Sequence, residues 1–487
     1  MAARARSGML IGLPTLLFLA AATVHAGEGH KPADWPTRWA QAGTAPARAQ
    51  ASPAEAPPPA ETFPRMSYTV PLYGIVGFNL LLSAFDRVFL GSDYDTDLST
   101  IRRNLRGGWE EDRSTFAINQ LGHPYQGALY YNFARSAGLA YWESLPYAVA
   151  GSAMWEIAGE TTPPSRNDMI TTSIGGSFLG EALYRMASLV LEQGKLPKDG
   201  REAAAAAISP AMGLNRHLFG RQLPGVFSSG GAPWYSRLQV GASSTTQSNP
   251  GSSTRAERNE GLADFSLEYG MPGRRSYRYA RPFDYFQFQL IGSTANAVES
   301  IATRGLLLGD ELGAGRRLHG VWGLYGSYDY LAPQFFRVSS TALSLGTTVQ
   351  ARLLRSVTLQ GTALGGAGYA SVGTVGARDE RDNHFGLAPQ ALLALRLLLG
   401  DTAALDLSAR EYFVSDIGAA RAGRDNITRA DASLTVRVHR RHAVSLRYLR
   451  TRRDATFPDL GSRTQTREMI GLFYTLLGDE RFGAVLP

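Results

Sequence analysis

The sequence contains no cysteine, so neither a disulfide bond nor a cysteine nucleophile can contribute to its stability or chemistry. It also has no P-loop, no dinucleotide-binding fingerprint and no HExxH metal motif, and we therefore expect no cofactor. Charge is modest as well: the formal net charge is +7 over 487 residues. A balance this small gives no indication of a nucleic-acid partner.

The N-terminus has the pattern of a secretory signal peptide, which we place at residues 1–26. Arg4 and Arg6 form a basic start, an apolar run follows over residues 9–22, and a cleavage point follows Ala26. An uncleaved N-terminal anchor is the alternative interpretation. Export makes the absence of cysteine informative, because the exported protein is then stable without disulfides.

Residues 27–65 form the next segment, which is rich in proline and alanine. Such a composition cannot bury enough apolar surface to fold, so we predict a disordered linker. Residues 68–85 then carry no charged side chain. Their length is at the lower edge for a transmembrane helix, while Pro71 and Gly74 disfavour a span. A buried or interface-lying helix and a membrane span both remain open.

Helical periodicity dominates residues 66–225, which we assign to a mainly helical domain. Small and aromatic residues recur at spacings of three to four over residues 127–138. Ser165 followed by Asp168 predicts a capping box that opens another helix. Residues 226–233 are dense in glycine and proline and mark the linker to the next domain.

From Trp234 onwards the period of the apolar residues changes from 3.6 to 2. Over residues 430–439, for example, every second residue is alanine, leucine or valine and the intervening residues are polar or charged. Repeated strands of about ten residues with this alternation are typical of a transmembrane β-barrel. We therefore predict an α+β protein in two parts, a mainly helical N-terminal domain followed over residues 234–487 by an antiparallel transmembrane β-barrel of about 12 strands. A soluble β-sandwich is the alternative.

Connection lengths in the barrel predict its topology, because outer-membrane barrels have short periplasmic turns and longer extracellular loops. We expect short turns at residues 354–356, 400–402 and 440–441, and long loops at residues 371–385, 415–427 and 452–466. With an even number of strands, both barrel ends are periplasmic. We therefore expect an outer-membrane location with the helical domain in the periplasm, contact with outer-membrane lipid, and room for a periplasmic protein partner. The oligomeric state is left open.

The segment over residues 119–181 threads many ionisable residues through glycine- and aromatic-rich helical sequence. Buried charges must be paired or hydrogen-bonded, so this segment is either a polar network that fixes the fold or a site. The candidate catalytic residues are His123, Glu143, Glu156, Glu160 and Asp168, and the residues assigned to a polar network are Tyr131, Arg135, Asn167 and Glu181.

Two interpretations of these candidates remain open. His123 precedes Pro124 and so lies at a helix entrance, where it could act as a general base or a metal ligand. Glu156 and Glu160 are four residues apart and would face the same side of a helix. Alternatively, Arg135 pairs with one of the acids and His123 only caps a helix.

Three dense motifs occur in order: NQLGHPYQGALYYNFARSAGLAYWES, GSAMWEIAGE and PSRNDMITTSIGG. This combination resembles the bacterial domain-of-unknown-function family 3943, whose members occur in Gram-negative envelopes. The likeness spans about residues 68–221. The resemblance implies an envelope protein, and it brings no catalytic residues because the family has none established.

Two classes of function follow from these observations. The first is a non-enzymatic outer-membrane protein in which the barrel carries a periplasmic helical module for envelope structure, transport or docking. The alternative is an envelope hydrolase or transferase acting on lipid or glycan, with a His/acid site in the helical domain. A pocket that brings His123 together with two acids favours the enzyme, whereas a fully paired, closed network favours the first class.

Overall fold

The computed structural model describes residues 66–485 except 90–91, 113, 221, 224, 249–254, 315–316, 334–335 and 374–380. The expected signal peptide at residues 1–26 and the expected linker at residues 27–65 lie outside the described residues. The remainder forms a helical part and a barrel, and this confirms the predicted two-part α+β architecture.

The described residues of the helical part contain eight α-helices. Two single π-helical turns also occur, one before α3 at Ile118–Gly122 and one between α5 and α6 at Thr171–Gly175. The helices are α1 (Val70–Phe89), α2 (Leu98–Arg106), α3 (His123–Ser136), α4 (Tyr141–Ala158), α5 (Arg166–Ile170), α6 (Gly176–Gln193), α7 (Lys198–Ile208) and α8 (Pro210–Phe219).

Local sequence explains how these helices begin and pack. The Ser165 hydroxyl oxygen accepts a hydrogen bond from the Asp168 backbone N–H at 3.1 Å, as the capping pattern predicted. Gly127 lets α3 approach the second π-helical turn very closely, because a Cβ atom there would lie 1.8 Å from the Thr172 carbonyl oxygen. Small residues at such crossings allow backbones to touch, and α3 and α6 pack along each other.

Twelve antiparallel strands follow and close into a barrel through the pairing of β1 with β12. The strands are β1 (Trp234–Ser248), β2 (Arg255–Tyr269), β3 (Phe286–Ser293), β4 (Ser300–Ala314), β5 (Leu318–Leu331), β6 (Arg337–Leu354), β7 (Val357–Gly373), β8 (His384–Leu399), β9 (Ala403–Val414), β10 (Arg424–His439), β11 (His442–Phe457) and β12 (Gly461–Leu477).

The two ends of the barrel differ in their connections. We call the end with the turns after β6, β8 and β10 the turn end, and the opposite end the loop end. The turn end carries one long connection, between β2 and β3, that the sequence did not indicate. The long loop expected at residues 452–466 is wrong, because β11 and β12 pair from Phe457 and Gly461 onwards across a three-residue connection.

The helical part packs against the outer wall of the barrel. Outward-facing side chains of β2 to β5 are buried beneath it in one shared core. Phe116 stacks on Tyr330 of β5 with ring centroids 5.8 Å apart, and the Tyr328 hydroxyl donates to the Gln120 carbonyl. Phe178 of α6 lies against Gly326, where a Cβ atom would be 2.5 Å from the ring.

Four helices, α1, α3, α4 and α6, run alternately up and down this wall, and we call them the helical bundle. Residues near the start of α1 and the end of α3 meet at the turn end, where the Ser67 N–H donates to the Ala137 carbonyl at 3.1 Å. The segment that precedes the first π-helical turn reaches the loop end, where Asn383 Nδ2 donates to the Ser114 carbonyl at 3.1 Å.

Residues 226–233 are an integral part of this packing as well as a connection. Phe227 is buried, and the guanidinium carbon of Arg185 lies 3.9 Å from the centre of its ring. The segment therefore connects the end of the helical part to the start of β1 and packs against α6.

The barrel interior is filled at both ends by apolar layers formed by the described residues. At the loop end, inward-facing Phe336, Val338 and Val414 belong to one layer. At the turn end, Phe482 of the C-terminal segment packs beside Tyr235, and Gln350 Nε2 donates to the Val485 carbonyl at 2.7 Å. Between these layers lies a polar cavity of about 200 Å³.

Candidate active site in the helical bundle

The candidate residues divide into two groups at different heights of the bundle. One group is fully paired and lies towards the turn end, and the other is incompletely paired and lies towards the loop end. Glu143 belongs to neither group. It is exposed at the start of α4, where its carboxylate accepts from the Ala140 N–H at 2.8 Å and the Tyr68 hydroxyl at 3.0 Å.

The first group, which we call the paired network, joins α3, α6 and the β2–β3 connection. Glu181 accepts from Arg135 Nε at 2.7 Å, from Arg185 Nε at 2.8 Å and from the Tyr131 hydroxyl at 3.0 Å. Arg185 Nη1 also donates to Asp284 at 3.0 Å, which ties the bundle to the barrel. Sequence reasoning missed Arg185 and Asp284, because the pairing depends on how the bundle docks.

The second group, which we call the polar centre, consists of His123, Glu156 and Asp168. One ligand atom from each residue lies within 4.8 Å of the other two. All three are buried, with exposures of 5 %, 2 % and 2 %. They come from α3, α4 and α5, so the centre forms only when the three helices pack together.

Several polar atoms of the centre have no hydrogen-bond partner among the described residues. These include His123 Nδ1 and Glu156 Oε1. The other Glu156 oxygen accepts from the Ser165 N–H at 2.8 Å, and Asp168 Oδ1 accepts from Asn167 Nδ2 at 3.0 Å. A buried polar atom without a partner costs free energy, so this arrangement favours a ligand, ion or reactant in the centre.

Two partly buried carboxylates lie beside the centre, and we call them the rim. Glu160 Oε1 lies 3.9 Å from His123 Nε2 and accepts from Trp155 Nε1 at 2.9 Å. Glu160 lies just beyond the end of α4, yet its side chain is on the same side of that helix as the side chain of Glu156. Asp112 is held nearby, since its N–H donates to Asn167 Oδ1 at 2.8 Å. The rim therefore adds two carboxylates beside the centre.

The electrostatics of the centre disfavour two buried carboxylates in their charged form. Burial raises the pKa of Asp168, in the connecting helix α5, to about 7, and the charges of Asp112 and Glu160 add to this rise while His123 opposes it. A carboxyl group with a pKa near neutrality can hold or release a proton at working pH, as general acid–base chemistry requires.

Both π-helical turns flank the centre. The first ends at Gly122, directly before His123, and the second begins at Thr171, three residues after Asp168. π-Helical turns inside α-helices are rare and occur frequently at functional sites. Here they rotate the helix faces so that His123 and Asp168 both point into the bundle. Periodicity of the sequence at 3.6 residues gave no signal for either turn.

The donor set of the centre also suits a metal ion. One imidazole and two carboxylates are ligands that divalent cations of intermediate hardness accept. The sequence indicated only His123 as a metal ligand, because the three residues lie 33 and 12 positions apart and match no short motif.

Comparisons with known proteins bear on the helical part and the barrel separately. Residues 108–211 match the family model described as a domain of unknown function (DUF3943). This match confirms the resemblance predicted from the three motifs, and it contains all three residues of the polar centre. No curated protein matches this chain.

Solved structures that resemble the chain cover its barrel half. An outer membrane channel from Pseudomonas putida F1 is 10 % identical over 50 % of this chain and 94 % of its own, with a TM-score of 0.28. The outer membrane channel DcaP of Acinetobacter baumannii is 9 % identical over 51 % and 99 %, with a TM-score of 0.24. The translocator domain of the autotransporter NalP from Neisseria meningitidis is 13 % identical over 54 % and 97 %, with a TM-score of 0.23.

Proposed function

We propose that this protein is an outer-membrane enzyme in which the barrel holds the helical bundle in the lipid phase, and in which the polar centre hydrolyses a membrane lipid. The proposal combines a membrane location, a position for the bundle and a chemistry for the centre, each with its own support.

A belt of exposed apolar side chains supports the membrane location. Outward residues of β6, β8 and β12 include many exposed leucine and isoleucine side chains, as in Leu345 (65 %), Leu472 (61 %) and Ile470 (58 %). Nearer the loop end, outward residues of β11 become charged at Arg450 and Arg452. An apolar band bounded by charge is what a lipid-facing barrel wall requires. The loop end would then face outwards and the turn end the periplasm.

For the bundle we propose a position other than the periplasmic placement expected from sequence. The bundle covers the outer wall of β2 to β5 at the height of the belt, and α1 presents Tyr73, Leu80 and Leu81 outwards. Among the described helices, α1 is long and apolar enough to cross a membrane. A helix of 20 residues is about 30 Å long, which matches a bilayer core. We therefore place the bundle beside the barrel in lipid, with its N-terminal end at the periplasm.

The polar centre would then lie at the edge of the belt towards the loop end. The second π-helical turn touches β6 there, since a Cβ atom at Gly175 would be 2.5 Å from Thr341 Oγ1. At this depth the polar head of an outer-leaflet lipid meets its acyl chains. The substrate class that fits is therefore an amphiphilic lipid, with its head group at the rim carboxylates Glu160 and Asp112.

The single observation that carries the chemistry is the convergence of His123, Glu156 and Asp168 with buried atoms that lack partners. We propose that they hold a divalent cation, which lowers the pKa of a bound water and makes it a nucleophile near neutral pH. Glu160 would accept the proton of that water, since its partly buried carboxylate lies 3.9 Å from His123 Nε2.

The test uses the full-length protein with two site variants and one matched control. His123→Ala and Glu156→Gln should fold, lose bound zinc or manganese after dialysis against either ion, and lose the change in cellular lipid composition that the wild type produces. Glu143→Gln, which removes a carboxylate outside the centre, should keep both. Metal analysis and lipid mass spectrometry give the two readouts. Folded site variants with unchanged cation content and lipid profile would overturn the proposal.

A non-enzymatic transport role, the other class expected from sequence, would need a continuous lumen. The apolar layers at both barrel ends interrupt the lumen formed by the described residues. Conductance of the wild type in planar bilayers measures this role directly, and steady ohmic conductance would favour transport over the enzyme.

A further inference from the structure

We propose that the barrel lumen contains a binding site for a small oxyanion, formed by Arg304, Arg410 and Arg429 with Gln390. This site is separate from the polar centre, and it does not depend on the function proposed for the bundle. The lumen cavity of about 200 Å³ has room for such a solute.

The first support is an excess of positive charge around the cavity. Six arginines and four carboxylates line it. Four of the arginines pair closely with carboxylates. Arg237 pairs with Asp406 at 2.7 Å, and Arg410 pairs with Asp329. Arg396 pairs with Glu268 at 2.9 Å and with Asp406 at 2.5 Å. Arg447 pairs with Asp431 and also with Asp264, the latter at 2.7 Å.

Two arginines of the lining are left without a carboxylate partner in the part of the chain that the structure describes. Arg429 lies near Asp431, but that carboxylate pairs with Arg447. Arg304 shares the neighbourhood of Asp329 with Arg410, which takes the ion pair. Two uncompensated guanidinium groups that face one cavity favour a bound anion, because an anion there offsets their charge.

The strand register adds a second, independent support. Arg429 of β10 and Arg410 of β9 are direct cross-strand partners on the inward face. Directly opposed residues have Cβ atoms about 5 Å apart, and like charges at such positions destabilise a sheet. An anion between the two guanidinium groups would convert this repulsion into attraction.

The third support is a set of buried donors without acceptors. Arg304 Nε, Arg410 Nε and Gln390 Nε2 have no hydrogen-bond partner among the described residues. Arg304 and Arg410 line both the cavity and a small recess beside it, and Gln390 lines the recess. Gln390 is only 8 % exposed, and its oxygen already accepts from Ser340 Oγ at 3.2 Å, so the amide nitrogen is oriented away from that contact. Several unsatisfied donors in one place favour an oxyanion, whose oxygens accept hydrogen bonds.

Phosphate and carboxylate share this chemistry, and titration distinguishes them. The full-length protein in detergent micelles is titrated with inorganic phosphate and separately with acetate, at constant ionic strength in chloride. We expect saturable binding of one anion per barrel for at least one of the two. Arg304→Gln and Arg429→Gln should each weaken binding at least tenfold, and Gln390→Leu should weaken it without changing charge. The control Arg450→Gln, on the outer face, should bind as the wild type does.

A stability measurement keeps the proposal testable if a variant binds poorly for another reason. The ligand should raise the melting temperature of the wild-type barrel more than that of Arg429→Gln. In chloride alone, Arg429→Gln should be at least as stable as the wild type, because it removes the repulsion with Arg410. No saturable binding of either anion, or wild-type binding by Arg304→Gln and Arg429→Gln, would overturn the site.

Discussion

The paired network and the polar centre lie in the same helical bundle, but buried charge is fully paired in the first and incompletely paired in the second. In the paired network, Glu181 is bonded by two arginines and a tyrosine, and Arg185 continues the pairing into the barrel. In the polar centre, His123 and Glu156 retain buried atoms without partners. Buried charges that are fully paired hold helices in place, whereas buried charges that are left open are costly unless a ligand or reaction uses them.

The largest expected effect comes from breaking the paired network. Glu181→Ala would leave Arg135 and Arg185 buried with fewer partners, and removal of one partner of a buried pair costs about 3–5 kcal/mol. We expect the bundle to detach from the barrel wall or unfold, as measured by protease resistance and by the denaturant midpoint. Glu181→Gln, which keeps the shape of the side chain and some of its hydrogen bonds, should lose less stability than Glu181→Ala. Wild-type stability of Glu181→Ala would remove the contrast between the two groups.

A somewhat smaller effect should follow from widening the α3–α6 crossing that positions the polar centre. Gly127→Ala adds a Cβ atom 1.8 Å from the Thr172 carbonyl, and overpacking of this kind costs about 1–3 kcal/mol. The variant should also reduce cation binding, because Thr172 lies in the second π-helical turn beside α5. Gly77→Ala in α1 is the matched control, since a Cβ atom there meets nothing within 4 Å. Equal losses of stability and cation binding in Gly127→Ala and Gly77→Ala would argue against a specific effect of the Gly127 contact.

Substitution in the polar centre should affect function more than folding. His123→Ala removes a side chain that has one unpaired nitrogen, so its stability loss should be smaller than that of Glu181→Ala. Cation content and lipid turnover should nevertheless fall to background. The comparison is checked by measuring the unfolding midpoint and metal content on the same preparations. A stability loss as large as that of Glu181→Ala would class His123 with the paired network.

The pH dependence of stability offers a finer comparison. The pKa of Asp168 is about 7 in the fold and near 3.8 in the unfolded chain, so folding favours its protonated form. This contribution to stability is fully present below about pH 4 and is lost as the pH rises through about 7. In chelator-treated samples, the stability of Asp168→Asn relative to the wild type should therefore increase as the pH rises from 4 to 7. Added zinc should instead make the wild type the more stable of the two as the pH rises, because cation binding requires the ionised carboxylate.

The smallest effect is expected at Glu143, which the sequence grouped with the catalytic candidates. Its carboxylate only caps α4 and contacts the Tyr68 hydroxyl at the surface. Glu143→Gln should keep cation binding and lipid turnover and shift the unfolding midpoint only slightly. Loss of turnover in this variant would mean that the site extends to the turn end of the bundle.

Much of the architecture could be predicted from local pattern. Alternation with a period of 2 follows directly from the geometry of a strand that faces lipid on one side, and the predicted barrel of about 12 strands is confirmed. Strand ends were less accurate, since β10 begins at Arg424 and β12 at Gly461, inside the loops expected at residues 415–427 and 452–466, where their outward residues turn polar. Alternation gives no signal in those stretches.

The composition and spacing of the sequence determined the two-part division, the strand number and the residues from which a site could be built. Only the tertiary structure separated those residues into a paired network and a polar centre, because pairing depends on which helix faces meet. It also decided that the bundle packs on the outer wall of the barrel, and that Arg410 and Arg429 stand opposite each other in the lumen. Such contacts join residues far apart in the chain, and local periodicity carries no information about the docking and register that create them.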